Sequence, residues 1–268
     1  NEQRARIGCE PLLEFGEGHS LGDAAMNATG VVEAVPVAAN AASWLKSARI
    51  FSVRGYDGFR FIRCPFSSAE AQLELAHSVL SDWIEPPAAN NLSTAAGVSQ
   101  EESDPQSQFW AQHLKASIAD GKLTSAASTT ASAKSVRAST GVTSSTSNST
   151  TLLSRLAWAT VGYQYQWTER QYDPSKRCPM PPDLTQLAID LAGACGWSLR
   201  PEAAILNLYG VKSTMGGHLD DAEPCQSAPI VSISLGLEAI YLLGGRTKAD
   251  PAIAMLLRSG DVVVQGGC

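Results

Sequence analysis

Apolar residues in this chain come mostly as short runs broken by glycine, a rhythm that predicts a mainly β protein with a few supporting helices. I-F-S-V at 50–53 and G-F-R-F-I-R-C at 58–64 read as two strands about turns at Gly55 and Gly58. Ser67-Ser68-Ala69-Glu70 opens a helix, with a capping hydroxyl ahead of an acidic first turn. Its apolar face would be Leu73, Leu75, Ala76, Val79, Leu80 and Trp83, and Pro86-Pro87 stops it. From residue 157 the pattern alternates, placing Trp158, Thr160, Gly162 and Gln164 on one strand face and Tyr163 and Tyr165 on the other. Pro181-Pro182-Asp183 predicts a second helix with Asp183 as cap, ending near Gly196. Strands follow at 203–209, 230–235, 239–243 and 254–257, with Gly236-Leu237-Glu238 turning the chain between the second and third. Ser259-Gly260-Asp261 then turns into Val262-Val263-Val264, a fully apolar run suited to a buried strand. Many short strands joined by glycine turns indicate an α+β, mainly β fold: a double-stranded β-helix (jelly-roll) core with supporting helices.

Four regions divide the chain. Residues 1–47 lack periodicity and are expected to form a loosely ordered extension; 48–85 hold the first strands and helix. Residues 86–151 are expected to be a flexible insertion, ending in a Ser/Thr/Ala-rich tract with little to bury against its ordering entropy. Residues 152–268 form the main core, and the chain stops inside what reads as a sheet.

Composition narrows the classes. The 268 residues are 44% hydrophobic, and no apolar run approaches a membrane span, so no membrane partner is expected. Six scattered cysteines without a C-x-x-C pair read as free thiols in a reducing, intracellular compartment. The net charge is −6, so a nucleic-acid partner would have to be gripped by a local basic patch. Such a patch is available in Arg155, Arg170, Lys176 and Arg177, close to an unusual density of aromatics. Two of the six tryptophans and three of the six tyrosines fall between residues 158 and 172. They fit either a hairpin with aromatic cross-strand pairs or a stacking surface for nucleobases.

Residues 203–220, A-A-I-L-N-L-Y-G-V-K-S-T-M-G-G-H-L-D, carry the candidate chemistry. Asn207 and Tyr209 lie two apart on a strand and share a face, as do His218 and Asp220 on an extended segment. One imidazole nitrogen and one carboxylate can then reach a single metal ion, two members of the two-His-one-carboxylate set that holds non-haem Fe(II).

Taken together, N-L-Y, H-L-D, P-I-V-S-I-S-L-G-L-E-A-I-Y-L-L-G-G and S-G-D-V-V-V-Q-G-G resemble the core of the AlkB family of Fe(II)/2-oxoglutarate dioxygenases. The likeness is greatest to the first AlkB-homologue subfamily; it runs from about Ala157 onward, with a weaker echo at Arg54 to Trp83. It implies His218 and Asp220 as Fe(II) ligands, Asn207 and Tyr209 as contacts to 2-oxoglutarate, and Trp158 and Tyr165 as lid aromatics over a substrate base. It also implies a third His ligand and two arginines beyond Cys268, and assigns no side chain as acid, base or nucleophile. The implied reaction consumes O₂ and removes methyl groups from bases of tRNA or DNA, giving formaldehyde, succinate and CO₂; a monomer is expected. Where the bacterial prototype has an acidic residue two past the metal Asp, this chain has Ala222, with Glu223 next. The alternatives are an inactive AlkB-like binding module and a 2-oxoglutarate-dependent hydroxylase of some other substrate.

Overall fold

The computed structural model describes residues 31–91, 156–247 and 249–266. Eleven strands and two α-helices make up the described part, arranged as packed antiparallel sheets. The five-stranded sheet has the order β1 (Val32–Val35), β2 (Arg49–Val53), β3 (Tyr56–Arg63), β11 (Val262–Gln265), β8 (Ile230–Ile233). A two-stranded ribbon pairs β9 (Ala239–Leu243) with β10 (Ile253–Leu257). The third sheet is built on β5 (Trp158–Gln166), which pairs β4 (Ala89–Asn90), β6 (Gln171–Arg177) and β7 (Ala203–Asn207).

Strand β11 explains why its run is apolar throughout. Val263 joins Phe51, Phe59 and Phe61 against Leu243, Met255 and Leu257, so the ribbon covers one face of the five-stranded sheet. Val262 and Val264 point the other way, into Leu45, Leu191 and Ala194. Helix α2 (Pro182–Ala194) supplies the last two of these. A strand covered on both faces has no position where a polar side chain could reach water, and each buried valine contributes about 1.5–3 kcal/mol. Buried Asp261 immediately precedes this strand. Its carboxylate accepts from Arg63 Nη1 at 3.0 Å, from the Arg258 amide at 2.8 Å and from the Cys64 amide at 3.1 Å.

Several local expectations change. Residues 31–47, expected to be loose, contain β1 paired along β2, with Val32, Ala41 and Leu45 buried; 1–30 lie outside the described residues. Ala89 and Asn90 are likewise built into a sheet, Ala89 opposite Thr160, with Ala88 buried beside them, whereas the Ser/Thr/Ala-rich tract lies outside the described residues. The first turn sits at Gly55, in the left-handed region, and Gly58 falls inside β3. Helix α1 (Ala69–Ser78) starts as expected, with the Ser68 hydroxyl accepting from the Ala71 amide. None of its residues is buried, however: Leu73 is exposed, and only Val79 and Trp83 in the following π turn reach a core. The second helix is capped by Pro181 with no side-chain bond, and Asp183 lies in its first turn. Its other end closes as a Schellman motif: Trp197 N–H donates to Ala192 O and Gly196 N–H to Gly193 O, with Gly196 at φ +84°.

Candidate active site

The aromatic hairpin and the His-x-Asp segment meet beside one strand pair. In the β5–β7 register Trp158 stands directly opposite Asn207, so the implied lid and the implied cosubstrate residue are cross-strand neighbours. Tyr209 lies just past β7, exposed, with its hydroxyl 3.6 Å from Met215 Sδ. The chain then runs without strands through 208–229, carrying Gly216, His218 and Asp220.

His218 and Asp220, the implied metal ligands, face one another. Its Nδ1 lies 2.8 Å from Gly216 O, and its Nε2 is 3.4 Å from Asp220 Oδ1. With the proton on Nδ1 donated to that carbonyl, the Nε2 lone pair faces the carboxylate. Both side chains are about half exposed, 49% and 45%, so a ligand can approach the pair from solvent. A borderline cation fits between such N and O donors. Among the described residues no third His, Cys, Asp or Glu joins them.

Thr160 and Gln164, placed on one strand face by the alternation, join their side chains, yet Trp158 and Tyr165, from opposite faces, meet a common ring just past the strand. Both rings reach Trp167, at 5.1 and 5.0 Å between centroids, and Tyr165 meets Tyr172 edge-on at 5.3 Å. The strand is irregular here: Gly162 adopts φ +75°, and the β5–β6 register shifts between Tyr163 and Gln164. No side chain fits at Gly162, where a Cβ would sit 2.1 Å from Glu202 O.

Trp167 and Tyr172, read from the sequence only as members of the aromatic cluster, and Glu223, noted only for its place beside Ala222, thus belong to this region. Tyr165 and Tyr172 are a cross-strand pair of the hairpin. Tyr172 donates its hydroxyl to Glu223 Oε1 at 2.7 Å, and Arg170 pairs with Asp221 at 2.8 Å, so the hairpin is tied to the segment just past Asp220. Burial pushes the Tyr172 hydroxyl and the Glu223 carboxyl up; the Asp220 charge adds to both. Tyr241, on β9, is pushed up to about 12, first by burial and then by Asp220. The sequence signal for Trp167 and Tyr172 was the density of aromatics; nothing local marked Tyr241. The basic residues near the hairpin are largely occupied: beyond Arg170, Lys176 lies 3.6 Å from Asp173, and Arg177 sits 4.8 Å over the Tyr163 ring. Arg155 is outside the described residues.

The sequence pattern of the 2OG-Fe(II) oxygenase superfamily matches residues 108–268. The chain belongs to that superfamily. Within it the chain is of AlkB type and similar to proteins named ALKBH1. It is 52% identical over 120 residues to a DNA N(6)-methyladenine demethylase ALKBH1A of Arabidopsis thaliana, covering 43% of this chain and 35% of that protein. It is 34% identical over 220 residues to the mouse nucleic acid dioxygenase ALKBH1, covering 82% and 49%. A tRNA demethylase abh1 of Schizosaccharomyces pombe matches at 37% over 118 residues, covering 42% and 38%. The chain therefore spans between a third and a half of these relatives' lengths. The superfamily is one of Fe(II), 2-oxoglutarate and O₂ chemistry, and its jelly-roll agrees with the packed antiparallel sheets found here. Among the described residues no helix is long and apolar enough to cross a membrane.

Proposed function

We propose that this chain carries the catalytic core of an Fe(II)/2-oxoglutarate-dependent dioxygenase that demethylates methylated bases in tRNA or DNA. The observation that carries the reading is the facing pair His218 Nε2 and Asp220 Oδ1, beside an aromatic hairpin tied to the same segment. In this reading the Gly216 carbonyl fixes the His218 tautomer, so that Nε2 and the Asp220 carboxylate hold Fe(II). Asn207 and Tyr209 orient 2-oxoglutarate by hydrogen bonds. Trp158 and Tyr165 stack on the methylated base, and Trp167 backs both rings. The metal, with 2-oxoglutarate and O₂, supplies the oxidation that inserts one oxygen atom into a methyl C–H bond and yields succinate and CO₂. The product N–CH₂OH group then loses formaldehyde as its C–N bond breaks and a proton returns to nitrogen. The protein's part is orientation and exclusion of water.

The test is formaldehyde release from N-methylated oligonucleotides by the full-length protein. His218→Ala and Asp220→Ala should each lower it at least about a hundredfold, the scale of losing an essential catalytic group. Trp158→Ala should chiefly raise KM, as lost base stacking would. Unchanged release in both ligand variants would remove the pair from the site.

A further inference from the structure

Tyr209, the residue assigned to 2-oxoglutarate, already has a partner. Past β7 the chain folds back at Gly210 and Ser213: Ser213 N–H donates to Gly210 O at 2.8 Å, and Gly210 N–H donates to Ser213 Oγ at 3.0 Å. That doubly closed turn returns Met215 to the ring the chain has just left, and the Tyr209 hydroxyl donates to Met215 Sδ at 3.6 Å. On its other side Met215 adjoins Gly216, whose carbonyl lies 2.8 Å from His218 Nδ1. One thioether therefore stands between the cosubstrate residue and the turn that orients the metal-facing imidazole.

Three methionines fall among the described residues, and they differ in access. Met255 is 0% exposed, in the core between the ribbon and the five-stranded sheet. Met180 packs against the cluster of Leu156 and Val161. Met215 is 53% exposed. Any opening that admits 2-oxoglutarate to Tyr209 also admits a molecule as small as hydrogen peroxide.

A thioether is a weak acceptor, so its hold on the Tyr209 hydroxyl is readily exchanged for a carboxylate, which accepts more strongly. Oxidation reverses that order. A sulfur lone pair takes one oxygen from the peroxide, the O–O bond breaks, and the second oxygen leaves as water with both protons. Sulfur loses two electrons and the peroxide gains them. The polar S–O group that results is a far better acceptor than the thioether, carried on an atom 3.6 Å from the Tyr209 hydroxyl.

We propose that Met215 is an oxidation site that governs cosubstrate binding: its sulfoxide holds the Tyr209 hydroxyl and lowers the affinity for 2-oxoglutarate. The inference rests on the proposed function for the role of Tyr209. Methionine sulfoxide is enzymatically reducible, so the change is reversible.

The experiment treats the full-length protein with hydrogen peroxide before metal is added and follows each methionine by peptide mass spectrometry. Met215 should gain one oxygen at least about tenfold faster than Met255, as exposure against full burial dictates. Binding of 2-oxoglutarate is then measured by calorimetry with Mn(II) in place of Fe(II). The oxidised parent should bind at least about tenfold more weakly, the scale of losing a hydrogen bond to a charged group. Treatment with the two methionine sulfoxide reductases should restore binding, which separates Met215 from thiol oxidation at exposed Cys225. These arms need no variant to fold. Met215→Leu keeps the side-chain volume, should bind 2-oxoglutarate as the untreated parent does, and should be insensitive to peroxide. Tyr209→Phe should bind weakly before and after treatment alike, because the hydroxyl that the sulfoxide captures is gone. Equal oxidation rates at Met215 and Met255, or full peroxide sensitivity in Met215→Leu, would overturn the site. Oxidised Met215 with unaltered binding would overturn its control of the cosubstrate. No binding of 2-oxoglutarate by the untreated parent would instead defeat the proposed function, and this regulation with it.

Discussion

In β11, Val262, Val263 and Val264 are at most 2% exposed, whereas His218 and Asp220 keep 49% and 45% of their side-chain surface open. Each region has an aspartate beside a basic partner, but the surroundings differ. Asp261 is enclosed, bonded to Arg63 and two backbone amides, and flanked by strands on both sides. Asp220 lies on a strandless segment facing an imidazole. The first arrangement fixes geometry through burial, where removing one partner strands a charge. The second leaves donor atoms accessible, as a ligand site requires, and forgoes stability to do so.

Asp261→Asn tests the contrast most severely. It leaves Arg63 buried without its counter-charge and should cost about 3–5 kcal/mol in urea unfolding. A loss below about 1 kcal/mol would show that the sheet does not depend on this pin. Thiol chemistry separates the regions next. Cys195 follows the core-facing helix, and burial pushes it up to about 12, with Arg60 opposing. A thiol raised above its unfolded value of about 8.5 favours the folded state at lower pH, an advantage lost as pH rises from there toward 12. Cys225, in the exposed segment, is drawn down by the Ser227 hydroxyl and nearby amides. At pH 8, iodoacetamide followed by peptide mass spectrometry should find Cys225 modified at least about a hundredfold faster than Cys195. Comparable rates would erase the distinction.

Gly162→Ala should cost about 1–3 kcal/mol or more, since its Cβ would strike Glu202 O and its φ is +75°. The same change should alter tryptophan fluorescence from the Trp158–Trp167 contact, because Gly162 lies in the strand that carries Trp158. The smallest effect belongs to the site itself. His218→Ala should shift the unfolding midpoint by no more than about 0.5 kcal/mol, as expected for an exposed side chain outside the core. A larger loss would mean that the segment is structural.

Much of the strand inventory was legible because short apolar runs between glycines leave few alternatives. β9, β10 and β11 appear within a residue or two of the runs that predicted them. The first helix was legible only in its start. Ser68 acts locally, but whether Leu73 is covered depends on what packs there, and nothing among the described residues buries it. The extension ahead of residue 48 misled for the complementary reason. Val32–Val35 is too short to declare itself, and only β2 alongside makes it a strand.

By itself the sequence determined the strand runs, the capped start of α1, and the H-x-D spacing with the pattern around it. These depend on neighbours within a few positions, where backbone geometry dictates which side chains share a face. The tertiary structure alone decided that Trp158 and Tyr165 converge on Trp167 and that Tyr172 reaches Glu223. It also brought Arg49 and Arg258, 209 positions apart in the chain, to one cleft. Those contacts join residues through strand register, a bulge and sheet packing, which are properties of the assembled chain that no local pattern carries.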